Sequence, residues 1–138
     1  MRYMLFIYPG ESYEGQTEPS VEDVGAMSRF NEELTKAGVL LSLDGLHPAS
    51  EGARVTFSGG GSSTVTDGPF TEAKELVGGY WIIQAKSKEE AVEWATRVPA
   101  GAGDMVEVRR VYEMSDFSPE VQAAGELSEV PPGQTFAE

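Results

Sequence analysis

Tyr3-Met4-Leu5-Phe6-Ile7-Tyr8 is an unbroken apolar run. Runs of this kind belong to strands covered on both faces, since a face in water would alternate with polar residues. Pro9-Gly10-Glu11 ends it with a turn, so it is too short for a signal segment, and an acidic loop continues to Pro19. Ser20 then reads as an N-cap, with Glu22 and Asp23 in the positively polarised first turn and Ser20-x-x-Asp23 approximating a capping box. Val24, Met27, Phe30, Leu34 and Ala37 recur on one helical face, and Gly38 stands where a left-handed C-terminal residue is usual. A helix is therefore predicted from Val21 to Ala37. Val39 to Leu46 reads as a second strand, and Arg54 to Ser58 with Ser63 to Thr66 as a hairpin closed by Gly59-Gly60-Gly61.

Tyr80 to Ala85 is the next strand, with Gly78 and Gly79 permitting a close backbone approach or a bulge. Ser87-Lys88-Glu89-Glu90 forms a full capping box for a second helix, whose apolar face is Ala91, Trp94, Ala95 and Val98 and which Pro99 ends. Met105 to Met114 reads as the last strand. It sets Val106, Val108, Tyr112 and Met114 on one face and Glu107, Arg109, Val111 and Glu113 on the other. From Ser115 the composition turns to Pro, Gly, Ala and acid without a lysine or arginine. Residues 1–114 are thus predicted as one domain and 115–138 as an acidic tail, disordered or laid on a partner subunit through Phe117, Val121, Leu127 and Phe136.

Without the hairpin the order is strand, helix, strand, strand, helix, strand. The fold class is accordingly α+β, a ferredoxin-like βαββαβ protomer with an inserted β-hairpin. Two helices cover one face of the sheet. The other face also carries large apolar groups, because Met4, Phe6 and Tyr8 alternate with Tyr3, Leu5 and Ile7. Each such side chain left in water forgoes about 1.5 to 3 kcal/mol if it could be fully buried. A second sheet is the natural cover, which predicts a homodimer.

Composition narrows the partners. A net charge of -13 argues against nucleic acid and against an anionic membrane, each of which needs a concentrated basic surface. Arg109-Arg110 is the only adjacent basic pair, and strand alternation points its members to opposite faces. No stretch is long and apolar enough to span a bilayer. With no cysteine there is no disulfide framework or thiolate site, which suits a cytoplasmic protein. One histidine and scattered carboxylates give no metal-ligand spacing, so neither metal nor cofactor is expected. The triple glycine lacks the strand, helix and lysine context of a phosphate-binding loop.

The densest motif is Asp67-Gly68-Pro69-Phe70-Thr71-Glu72-Ala73-Lys74-Glu75, running into Gly78-Gly79-Tyr80. With Tyr3 to Tyr8, Ala37-Gly38-Val39-Leu40, Gly45-Leu46-His47-Pro48, Ala91-Val92-Glu93-Trp94-Ala95 and Glu107-Val108-Arg109, it resembles the YCII-related family in its DGPF-domain branch. That resemblance implies a dimeric α/β barrel of ferredoxin-like protomers and covers residues 1 to about 114. Two positions depart from the pattern. The wider family's proposed catalytic pair joins a histidine on the first helix to an aspartate, and this helix has no histidine. Arg110 stands where the branch commonly has proline after Glu-Val-Arg.

Asp67 is the catalytic candidate. Its carboxylate can act as a general acid or base where a pocket desolvates it; alternatively, Asp before Gly-Pro caps its own turn. Glu72 and Lys74, on a short helical turn after Thr71, could bind a polar ligand or form an ordinary solvated face. Arg109 shares a strand face with Glu107, as an anchor for a ligand carboxylate or as a structural ion pair. Tyr80 could stack on an aromatic ligand or belong to the core, and alternation admits only one of Tyr80 and Trp81 to a cleft. His47 reads as a surface loop residue able to titrate near neutrality. The expected function is cofactor-independent acid/base chemistry on a small molecule through Asp67. The alternative is a non-catalytic ligand-binding or regulatory protein linked to the alternative sigma factors with which the branch is associated. A purely structural dimerisation module, its pocket filled by side chains, is a third.

Overall fold

The computed structural model describes residues 1–10, 19–68 and 76–126. The strands are β1 (Arg2–Tyr8), β2 (Leu40–Gly45), β3 (Ala53–Gly59), β4 (Ser62–Asp67), β5 (Gly79–Gln84) and β6 (Met105–Arg110). The helices are α1 (Val21–Lys36), α2 (Lys88–Thr96) and α3 (Pro119–Glu126). β2, β5, β1 and β6 lie in that order in one antiparallel sheet, and β3 with β4 forms a separate two-stranded sheet. With the hairpin set aside, this is the split strand order of a ferredoxin-like α+β fold.

Alternation along β1 organises the interior. Tyr3 and Leu5 are buried with Trp81 and Ile83 of β5, and Phe30 and Leu34 of α1 and Ala91 of α2 close over them. Leu5, Leu34 and Ile83 are the largest side chains wholly removed from solvent. Phe30 meets Trp81 edge-on, with ring centroids 5.5 Å apart, and the indole N–H donates to Asn31 Oδ1 at 2.8 Å. Trp81 thus buries its ring without stranding its one donor. Val24 and Ala37, expected on the apolar face of α1, remain exposed beyond either end of this contact.

Both helices start as their caps predict. Ser20 Oγ accepts from Asp23 N and Ser87 Oγ from Glu90 N, each at 3.1 Å. The reciprocal bond of the second box is displaced by one residue, since Glu90 Oε2 accepts from Lys86 N at 3.0 Å. Gly38 follows α1 at φ 72°, as a C-terminal glycine should.

Three features depart from simple periodicity. β2 slips register between Leu40 and Ser42 against β5. The extra residue, Leu41, is half exposed, and the bulge lets Leu40 and Leu43 both reach the core despite being three apart. β6 ends at Arg110 rather than Met114: its last paired residue is Arg110, opposite Tyr3, and one further bond runs from Val111 N to Arg2 O at 2.9 Å. Tyr112 and Met114 therefore leave the sheet. A tight 3-10 turn at Met114–Asp116 follows, held by Asp116 Oδ2 accepting from Glu113 N at 2.7 Å. Within the acidic tail the Phe117 ring stacks on Tyr112 at 4.8 Å and α3 follows. Leu127 and Phe136 lie outside the described residues.

Gly68 fixes the base of the hairpin. Its N–H donates to Gly52 O at 3.0 Å. A Cβ there would overlap the Ala49 carbonyl oxygen and lie 2.7 Å from that carbonyl carbon, and backbone atoms cannot rotate away. Gly68→Ala should force the base of the arm to move, at about 1 to 3 kcal/mol. The expected result is faster amide exchange across β3 and β4 with β1 and β5 unchanged.

Arg2 grips Glu113 with Nε at 2.6 Å and Nη2 at 3.1 Å, tying the start of β1 to the chain beyond β6. The hydrogen bond from Arg2 holds the Glu113 carboxyl below the usual range; burial opposes it, and the charge of Arg2 adds a smaller lowering effect. A lowered folded pKa contributes stability above the ordinary carboxylate value and loses it as pH falls through the lowered one. Because the Glu113 side chain is 38% exposed, the contribution is discounted to below about 1 kcal/mol. Glu113→Gln should lower Tm slightly near neutral pH and flatten its fall in acid, measured by thermal melts across that range.

Candidate functional site

The four-stranded sheet has one face under α1 and α2 and one face open. Cross-strand register sorts the open face into rows. Asp44, Tyr80, Phe6 and Glu107 form one row across the four strands, and Ser42, Ile82, Met4 and Arg109 form the next. Tyr8 and Met105 pair beyond them. The centre is therefore apolar, with Phe6, Met4 and Ile82, and both margins are polar.

Each margin is hydrogen-bonded. On the β2 side Tyr80 OH donates to Asp44 Oδ2 at 2.7 Å. On the β6 side Tyr8 OH donates to Glu107 Oε1 at 2.7 Å, while Arg109 Nη1 stands 3.7 Å from Glu107 Oε2. Glu107 is thus shared between a phenol and a guanidinium. The Arg109 contact is loose and its side chain is 69% exposed, so the cation is available to a further acceptor. This is an exposed pair along one strand, neither buried nor inter-strand.

Tyr80, Glu107 and Arg109 share the open face, Tyr80 on β5 and the Glu107–Arg109 pair on β6, with β1 between them. Asp67 is elsewhere, exposed at the end of β4 opposite Ala53 on the separate hairpin. Glu72 and Lys74 lie outside the described residues. Trp81 belongs to the core, and Tyr80 is the aromatic that faces outward, as alternation requires. His47 is exposed and its Nδ1 lies 2.9 Å from Glu51 Oε2. The two residues line an open cleft of about 310 Å³ with Leu46, Ala53 and Val77. Among the described residues no three His, Cys, Asp or Glu side chains cluster as metal ligands, and no helix is long and apolar enough to cross a membrane.

Tyr8 and Asp44 are the polar contributors to the face that motif reading passed over. Their signal was the strand period itself, since Tyr8 shares parity with Met4 and Phe6.

The sequence profile of the YCII-related domain matches residues 1–115. The chain belongs to this family. An uncharacterized protein of Rhizobium meliloti (strain 1021) is 31% identical over 100 residues, spanning 69% of this chain and 77% of its own length. The matched segment of this YCII-related chain takes in the open face, the hairpin and the Asp67 motif together. Its α1 carries no histidine, and Asp67 stands on the hairpin, apart from the hydrogen-bonded face.

The Tyr8 phenol is held protonated above its ordinary range, first by the hydrogen bond to Glu107 and then by partial burial and the carboxylate charge, with Arg109 opposing. A raised folded pKa contributes stability below the unfolded value and loses it as pH rises through the folded one. The difference in phenolate absorbance between wild type and Tyr8→Phe should therefore appear at higher pH than for a free tyrosine. Glu107→Ala should bring it back towards about pH 10.

Proposed function

We propose that this YCII-related protein, of the DGPF-domain branch, is a homodimer in which two open sheet faces meet as an α/β barrel and enclose a small-molecule site. One observation carries the reading. The face is apolar at its centre and hydrogen-bonded at both margins, with Arg109 exposed beside an apolar floor. A floor of Phe6, Met4 and Ile82 suits an apolar or aromatic body, and Arg109 suits an anionic substituent on it. Glu107 orients Arg109 from one side while Tyr8 satisfies its other oxygen, and Tyr80 offers a ring edge across the face.

A second reading adds catalysis. Asp67 is a carboxylate on a backbone pinned at Gly68, and its exposure leaves it open to a substrate. A substrate that reaches this carboxylate in the assembled dimer would meet a general acid or base there.

Light scattering and a ligand panel test both readings. The wild type should be dimeric at micromolar concentration and should be stabilised by aromatic carboxylates more than by their amides. Arg109→Met should weaken that response about tenfold or more while leaving the fold intact, as loss of a charge-assisted bond would. Asp67→Asn should leave binding unchanged and abolish turnover. A folded monomer, or equal responses to acid and amide, would overturn the binding reading; full turnover in Asp67→Asn would remove the catalytic one.

A further inference from the structure

The β3–β4 hairpin is the least explained part of the molecule. Every residue from Ala53 to Asp67 is exposed. A two-stranded hairpin by itself in water is marginally stable at best, so an arm built this way needs a surface to lie on. Its two faces differ. Register pairs Val55 with Val65 and Phe57 with Ser63 on one face, and Arg54 with Thr66 and Thr56 with Thr64 on the other. The first face is apolar, and Val55, Phe57 and Val65 are 52%, 80% and 64% exposed. The Gly60-Gly61 turn has positive φ at both positions, as a tight two-residue hairpin connection requires.

We infer that this arm clasps a second copy of the chain, laying Val55, Phe57 and Val65 on the partner subunit beside the joined sheet faces. The inference rests on the dimer proposed above and specifies how it is held. The arm adds the exposed side chains of Val55, Phe57 and Val65 to the apolar surface that the sheet face offers on each copy.

Charge points the same way. Two copies at -13 each repel, so contact must be made where charge is sparse. Residues 53–67 carry only two charges, Arg54 on the opposite face and Asp67 at the base of the Val55, Phe57 and Val65 face, so the rest of that face is uncharged. Position agrees as well. The arm leaves the sheet after Gly45 and returns before Gly79, which are paired with each other at one end of the open face. It therefore stands at the margin of the surface to be covered.

The test compares the intact chain with Val55→Ser/Phe57→Ser/Val65→Ser and with Thr56→Ser/Thr64→Ser on the opposite face. Sedimentation equilibrium should give a dimer dissociation constant raised at least about a hundredfold in the first variant and unchanged in the second. Amide exchange in β3 and β4 of wild type should slow as protein concentration rises through that constant. The chain has no cysteine, so a single Ser58→Cys carrying a spin label gives one label per copy and should show reduced mobility only in the dimer. A wild-type dimer whose constant is unmoved by the triple variant overturns the clasp and leaves the dimer standing. A wild-type monomer overturns both. Arm protection that is independent of concentration means cover from the same chain, and it too overturns the clasp.

Discussion

The pairing of β1 with a strand on either side is the constraint from which the rest of the molecule follows. β1 lies in the interior of its sheet, so its register against β5 and β6 determines which side chains of three strands share a face. Odd positions, Tyr3, Leu5 and Ile7, go under the helices, and even positions, Met4, Phe6 and Tyr8, go to the open face. A slip of one residue would exchange the two sets. Leu5 and Ile83, wholly buried beneath α1 with Leu34, make such a slip costly, and they thereby hold Tyr80, Glu107 and Arg109 on one surface.

That surface differs from an ordinary solvated sheet face. Its apolar centre is continuous across two strands, and its polar side chains engage one another at the margins. Tyr8, Glu107 and Arg109 form a chain of contacts in which the carboxylate is the central member. Such a cluster can rearrange on meeting an anion, because the Arg109 contact at 3.7 Å is the weakest link in it. The hairpin has the opposite character, with apolar residues in the open and few charges.

Asp67 and Gly68 divide the labour of the most distinctive sequence motif. Gly68 has a steric reason to be glycine, since the Ala49 backbone occupies the space that a side chain would need. Asp67 has no such explanation in its exposed position opposite Ala53. The family match over residues 1–115 takes in both residues, and α1 carries no histidine.

The sequence by itself determined the six strands and the first two helices, their order, and the face taken by the paired residues of β1, β5 and β6. Apolar period, serine caps and glycine turns are local properties, and they act within one turn or one strand. It did not determine where pairing stops or which polar groups meet. β6 stops pairing at Arg110, and Leu40 and Leu43 share the core because β2 bulges against β5. Tyr8 finds Glu107 across 99 positions, and Arg2 finds Glu113 across 111. These depend on distances between residues remote in the chain, which only the tertiary structure decides. The same reason separates the predicted site residues. Tyr80, Glu107 and Arg109 converge through strand register, whereas Asp67 lies on a second sheet whose relation to them no local pattern encodes.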